Sequence, residues 1–307
     1  MSRRALALAH TPLLSRAGLE RAAWLRADSA ALARGWAQAL VLRMDEMNQV
    51  PIENGALQLA PGPSIAGAPP PGAVLIAVLD TGGAHHIWAV RDSTPSGKRA
   101  DLRSTGALLD ARDAGLCTTA QAVLNWHRHA RFCPRCGGAT EPVQAGWARR
   151  CLGCGREDYP RTDPAAICLV HDGADHVLLA RQPVWPPGRY SLLAGFVEAG
   201  ESAEACVVRE VHEEIGVLVD DVHYLGSQPW PFPRSLMLGF HARADRTDAV
   251  VPDQDEIEDA RWFHRDDVRA ALTADDDWTT SRPDLPFTAP GSISIARGIL
   301  QSWAQHQ

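Results

Sequence analysis

The sequence predicts an α+β protein. Its C-terminal half reads as a mixed sheet with helices packed on it, preceded by a short cysteine-rich region and an N-terminal α+β domain. Three observations predict this. The chain has 307 residues, room for about two domains with sizeable cores at roughly 150 residues each. Strand–turn–strand patterns and helices mix without regular βαβ alternation, which favours a mixed sheet with helices on its faces. Four of the seven cysteines stand in two close pairs, Cys133-Pro-Arg-Cys136 and Cys151-Leu-Gly-Cys154.

Taken in order, the first 72 or so residues are rich in Ala and Leu and close in a Pro/Gly stretch from Pro61 to Gly72. Ala73 to Leu79 and His85 to Val90 read as two strands of a hairpin around Thr81-Gly82-Gly83-Ala84. Thr118 to Arg131 reads as a helix, with Ala122, Leu124 and Trp126 among its apolar residues. The expected organisation is therefore an N-terminal domain over residues 1–130, a cysteine region over 131–158 and a third domain over 159–307. In that last part Ala165 to Val170 and His176 to Ala180 form a second strand pair around Asp172-Gly173. A long helix follows, then strands at Val222 to Leu225 and Leu236 to Ala242, and a closing helix at Ser292 to Ala304.

The spacing C-x2-C-x14-C-x2-C suits one tetrahedral zinc on Cys133, Cys136, Cys151 and Cys154. Four thiolates leave no open position, so this zinc is expected to be structural. An odd cysteine count in a chain of this length argues against a secreted disulfide scaffold. Cys168 and Cys206 fall at apolar positions and are expected in the core.

Lys plus Arg is 30 and Asp plus Glu is 37, a net charge of −7. That balance argues against a basic coat for sequence-independent duplex binding. No run approaches the eighteen or so apolar residues of a membrane span. The basic start Met1 to His10 has too short an apolar run for a signal peptide. The expectation is a cytoplasmic protein with no membrane partner. One local exception to the acidic balance exists. Arg128, Arg131, Arg135, Arg149, Arg150, Arg156 and Arg161 stand against only Glu141, Glu157 and Asp158. This run is either a solvated face or a landing strip for a polyphosphate or an RNA 5′ end.

The most informative segment runs from Gly195 to Val217. Ser202 is placed as an N-cap, Glu204 complements the helix dipole, and Gly216 is placed to end the helix in the left-handed region. Val207, Val211 and Ile215 recur every four residues and give an apolar stripe. Glu210, Glu213 and Glu214 share another face within one turn, with Arg209 four residues before Glu213. Three clustered carboxylates repel one another. A divalent cation would remove the conflict, and hard oxygen donors select Mg²⁺ or Mn²⁺. A solvated acidic face is the plainer alternative.

The full spacing, Gly195-x5-Glu201-x7-Arg209-Glu210-Val211-x-Glu213-Glu214-x-Gly216, resembles the Nudix box at every defining position. The resemblance implies the Nudix fold, a mixed sheet sandwiched by helices, and hydrolysis of a nucleoside diphosphate derivative with Mg²⁺ or Mn²⁺. A second motif, Ser227-Gln-Pro-Trp-Pro-Phe-Pro-Arg-Ser235, is a proline-stiffened loop presenting two aromatic rings. A loop packed only for stability is the alternative on composition. Its pattern, together with the four-Cys zinc ribbon ahead of the box, is similar to the bacterial NADH pyrophosphatase subfamily, a family also linked to removal of NAD caps from RNA.

The resemblance implies the following roles. Glu210, Glu213, Glu214, Glu256 and the Ala194 carbonyl would hold the catalytic metal, with Glu258 a competitor for Glu256. Glu213, with Glu214 next, would be the base. Tyr159, Phe196, the loop residues Gln228, Pro229, Trp230, Pro231, Phe232, Pro233, Arg234 and Ser235, and Ala296 would bind substrate. The substrate would be NAD(H), cut to nicotinamide mononucleotide and AMP, or NAD-capped RNA. A homodimer is implied. Where some relatives have an acidic residue before the ribbon Trp, Gly146 precedes Trp147, so a substrate contact there is not carried over. A Nudix diphosphatase of ADP-ribose type and a zinc-ribbon nucleic-acid-binding protein with a non-catalytic Nudix domain are the two rivals.

Overall fold

The computed structural model describes residues 6–80, 84–274 and 282–306. The expected turn at Thr81-Gly82-Gly83 lies outside them. The chain forms two compact units. One comprises residues 16–162 with Trp230–Arg234, and the other the chain through Ser15 with Asp163–Pro229 and Ser235–Gln307.

In the first unit, helix α1 (Ser29–Trp36) is capped by Asp28, whose carboxylate accepts from the Ala31 N–H. Strands β1 (Leu40–Met44), β2 (Val74–Asp80) and β3 (Ala84–Arg91) form one sheet. The expected pairing of β2 with β3 is antiparallel, and β1 lies parallel to β3 on its other side. Trp36 and Trp88 meet edge to face at 5.6 Å in this core, a geometry favoured by the aromatic quadrupole. Helix α2 (Ala111–His129) starts at Ala111 rather than Thr118. Its first turns are buried on all sides, from Asp113 to Gln121, so they carry no amphipathic period to read. Beyond it, β4 (Thr140–Val143), β5 (Ala148–Cys151) and β6 (Glu157–Asp158) make a three-stranded antiparallel ribbon.

The second unit holds a six-stranded mixed sheet. Its strands are β7 (Asp163–His171), β8 (His176–Arg181), β9 (Leu193–Phe196), β10 (Asp220–Trp230), β11 (Ser235–Arg243) and β12 (Asp259–His264). The order is β10-β11-β7-β8-β12, with β9 paired to β7. Strand β7 runs parallel to β11 and antiparallel to β8 and β9. Alternate residues of β7 serve two cores, because successive side chains point to opposite faces. Ile167 and Leu169 pack with helix α5 (Ile295–Gln305), through Ile295, Ile299, Leu300 and Trp303. Ala166, Cys168 and Val170 pack with helix α3 (Ala203–Ile215), through Val207, Val211 and Ile215. Helix α4 (Arg265–Leu272) completes the first core with Val268 and Ala271. This is the expected sheet between helices. Cys168 and Cys206 are core residues, as expected.

The start of the described chain is stitched into this second unit. Leu6 and Leu8 pack on the α5 core. The Ala9 N–H donates to Ser302 Oγ at 2.9 Å, the Leu14 N–H to Gln228 Oε1 at 3.4 Å, and Ser15 Oγ to the Ser227 carbonyl at 2.9 Å. No helix among the described residues is long and apolar enough to cross a membrane.

Candidate active site

Helix α3 forms where its signals predict. The Ser202 side chain accepts from the Ala205 N–H, and Gly216 ends the helix at φ 72°. Val207, Val211 and Ile215 are buried, worth roughly 1.5–3 kcal/mol each. That burial fixes the helix rotation and turns the glutamates toward the strand β9 loop.

Arg209 organises this face. Its Nε and Nη2 both reach Glu201 at 2.8 Å, its Nη1 reaches Glu210 at 2.9 Å and Glu213 at 2.8 Å, and its Nη2 also donates to the Phe196 carbonyl at 3.0 Å. The bidentate bond to Arg209 holds the Glu201 carboxyl down at about 2, helped by the Glu198 N–H. The Glu210 carboxyl lies against the backbone of Gly195. A Cβ at Gly195 would fall 1.8 Å from the Glu210 carboxyl carbon. Glycine there leaves the carboxylate the space a side chain would take, and any larger residue would have to displace it.

Glu214 differs from its neighbours. It is almost wholly buried, and its Oε2 has no hydrogen-bond partner. Burial pushes its carboxyl up to about 8, the charges of Glu210 and Glu256 add to this, and the Ala194 N–H partly offsets it. Burial also raises Glu210, with Glu213 and Glu256 adding to the effect. An orphaned carboxylate oxygen beside two further carboxylates is unfavourable by itself. The donor set is all hard oxygen, the chemistry a divalent cation takes, while among the described residues only the four ribbon cysteines have their ligand atoms gathered close around one point.

Glu210 feels the charges of Glu213 and Glu256, and Glu214 those of Glu210 and Glu256, with the Ala194 backbone beside Glu214. Glu258 instead pairs with Arg181. The side chain of Glu213 is 58% exposed, so it alone of the three box glutamates faces solvent freely. Phe196 is exposed beside this set, and Tyr159 is exposed on the other unit.

The aromatic loop is divided. Gln228 is wholly buried: its Nε2 donates to the Ile293 carbonyl at 3.0 Å and its Oε1 accepts from Leu14. Its side chain thus ties three chain segments together. The Ala296 N–H is likewise engaged, accepted by the capping Ser294 hydroxyl at 3.2 Å. Trp230 and Phe232 meet edge to face at 4.8 Å. Residues outside the sequence reading hold them. The Arg103 guanidinium lies 4.1 Å from the Phe232 ring centre and 5.2 Å from that of Trp230, and Gln121 Nε2 donates to the Pro231 carbonyl at 2.7 Å. Nothing local in the sequence marks Arg103 or Gln121, because their partners lie more than a hundred residues away.

At the ribbon, the four expected Sγ atoms lie within 4.8 Å of one another, with Cys133–Cys154 at 3.8 Å and Cys136–Cys151 at 3.4 Å. Thiolates about 2.3 Å from a tetrahedral zinc stand roughly 3.8 Å apart. Backbone N–H groups of Arg135, Gly153 and Cys154 point at the sulfurs, which stabilises thiolate charge. The basic run around this ribbon is mostly spent internally. Arg150 pairs with Glu157, Arg156 with Asp158 and Arg128 with Glu46, while buried Arg149 holds Thr140 and His127.

Comparison with known proteins agrees with this geometry. The NUDIX domain model matches residues 161–282, and the NADH pyrophosphatase zinc ribbon model matches residues 128–159. The chain is 50% identical over 304 residues to NAD-capped RNA hydrolase NudC of Mycobacterium bovis, covering 97% of this chain and 96% of that protein. The same identity and coverage hold for the protein of that name from Mycobacterium tuberculosis. That of Pseudomonas aeruginosa is 56% identical over 141 residues, 46% of this chain and 50% of that one. A helix of metal-competent glutamates, a closed four-cysteine ribbon and an end-to-end match at half identity converge: the chain belongs to the Nudix hydrolases that carry the NADH pyrophosphatase zinc ribbon.

Proposed function

We propose that this protein hydrolyses the diphosphate of NAD(H) to nicotinamide mononucleotide and AMP, and removes NAD caps from RNA to leave a 5′-monophosphate end. The observation that carries the reading is half identity to NAD-capped RNA hydrolases over nearly the whole of both chains. The carboxylates support it: Glu210 and Glu214 act electrostatically on one another and both feel Glu256.

The proposed cation is Mg²⁺ or Mn²⁺, held by Glu210, Glu213, Glu214, Glu256 and the Ala194 carbonyl. When bound, it would screen the diphosphate and lower the pKa of a water. Glu213 is the proposed base: its exposed carboxylate, held by Arg209, accepts the proton of the attacking water, with Glu214 the next candidate. Arg209 keeps Glu201, Glu210 and Glu213 fixed in advance, so little reorganisation is needed at the reacting diphosphate. Phe196 and Tyr159 are proposed to flank the substrate rings. The loop Gln228, Pro229, Trp230, Pro231, Phe232, Pro233, Arg234 and Ser235 shapes the nucleotide site, and Ala296 contributes backbone. Ring binding would then hold the diphosphate over the carboxylates. A structural zinc, a homodimer and a cytoplasmic location complete the proposal; the four thiol ligands suit a reducing compartment.

The test is side-by-side hydrolysis of NADH, NAD⁺, ADP-ribose and NAD-capped RNA in Mg²⁺ and in Mn²⁺, with Glu213→Gln and Glu214→Gln as controls. Metal-dependent release of nicotinamide mononucleotide, lost in both variants, supports the reading. Preference for ADP-ribose would move the protein to another Nudix substrate. Binding without turnover would make it a recognition module.

A further inference from the structure

The ribbon arginines are largely neutralised by their neighbours, yet a second arginine pair in the same unit is not. Arg26 lies with its guanidinium carbon 4.0 Å from the ring centre of Trp147, and Arg21 lies 5.5 Å from the same centre. The indole is pinned, because Trp147 Nε1 donates to the Leu75 carbonyl at 2.6 Å. Among the described residues neither guanidinium has a carboxylate partner. The nearby acids are turned to backbone donors: Glu20 accepts from the Ala22 N–H and Asp28 from the Ala31 N–H. Arg26 Nε is buried with no partner at all, and Arg26 Nη2 reaches only the Arg21 carbonyl. Lost hydration lowers both guanidinium pKa values, and at Arg26 the Arg21 charge adds to it. Between them in sequence, on the short turn Ala23–Leu25, Trp24 is 75% exposed while Leu25 is buried.

Two like charges on one indole, without a counter-charge among the described residues, leave the positions an anion would fill. The exposed Trp24 indole, on the short turn of chain between the two arginines, offers a flat face. Single-stranded nucleic acid supplies both a phosphate and a stackable base. An anionic membrane would want more apolar surface than one indole gives. We propose that Arg21, Arg26, Trp24 and Trp147 form a docking site for single-stranded RNA, with backbone phosphate on the two arginines and a base on Trp24. This rests on the reading of capped RNA as a substrate and gives the RNA body a place on the N-terminal unit, where the NAD moiety is not needed. In a chain of net charge −7, such a site localises RNA rather than coating it.

The experiment titrates a 3′-labelled, twelve-nucleotide, 5′-monophosphate RNA by fluorescence anisotropy, with zinc-loaded protein and no added divalent cation. Arg21→Gln with Arg26→Gln is expected to weaken binding about tenfold. It should also reduce the slope of log affinity against log salt by about 1.4, at roughly 0.7 per phosphate on a single strand. Trp24→Ala is expected to weaken binding about tenfold with the slope kept, as for loss of one stacked base. In turnover, both variants should lose kcat/KM on NAD-capped RNA by similar factors and keep it on free NADH. Unchanged RNA affinity and slope overturn the site. So does an equal loss on NADH, the signature of a purely structural role, or binding to phosphatidylglycerol vesicles that alone responds to the substitutions. The titration needs no hydrolysis, so a failure of the NAD reading is seen separately, as absence of NADH turnover beside intact RNA binding.

Discussion

At the scale of single residues, the site depends on close approach as well as on its carboxylates. Gly195 exists to admit the Glu210 carboxyl. Gly195→Ala is expected to displace that carboxyl, lowering kcat by roughly a hundredfold, since about 1 Å of misplacement at a reacting centre costs that much. The check is turnover of NADH beside a thermal melt: a variant that melts like the parent and still turns over at the parental rate would refute this account of the glycine. Glu214 poses the converse case. Its buried oxygen lacks any partner, so Glu214→Gln removes a charge conflict while removing a cation ligand. The expected result is a protein at least as stable to heat in chelator and with almost no metal-dependent turnover. A clear drop in stability without metal would mean that the carboxylate serves the fold.

At the scale of elements, the caps and stripes of helix α3 carry most of what the sequence discloses. Ser202, Gly216 and the Val207–Val211–Ile215 stripe each act within a few residues, so they can be read without any tertiary knowledge. Ser202→Ala is expected to cost about 1 kcal/mol, the usual worth of an N-cap side chain, read as a shift in the denaturant midpoint. Elements that depend on distant partners were less legible. Strand β12 has no turn or period of its own to announce it in the sequence, because its register comes from pairing with β8 at the sheet edge. The start of helix α2 is buried all round and has no polar face to mark its rotation. The ribbon arginines read as a patch, because their neutralisation depends on cross-strand register, Arg150 opposite Glu157. Gln228 shows the same limit inside a recognised motif: its position follows from the pattern, and its buried bonds to Leu14 and Ile293 do not.

At the scale of the molecule, stability should fall in mild acid for a traceable reason. Burial pushes His127 and His241 down to about 4. His127 donates from Nε2 to the Gly146 carbonyl and meets Arg149 at Nδ1, so a second proton would set it against a guanidinium. Both histidines bind protons more readily unfolded, at about 6.5, than folded. Their stabilisation is therefore whole above pH 6.5, declines as pH falls, and is gone below about 4. Denaturant midpoints between pH 8 and 4 should trace that decline, and His127→Gln should shallow it. Zinc is expected to act at the same scale. Its removal by a strong chelator should open the ribbon to protease and lower the melting temperature, because a closed four-thiolate site contributes its binding free energy to folding.

The strap formed by residues 6–15 has a consequence in time. Ala9 leaves the ribosome early, but its partner Ser302 is 293 residues further on. At about 5–20 residues per second, that gap is roughly 15–60 s. Through it, the cover for Leu6 and Leu8 does not yet exist, while the N-terminal unit can already close between them. The Nudix unit is thus begun first and finished last. A nascent chain stalled before helix α5 should carry a protease-resistant N-terminal unit behind a sensitive leader.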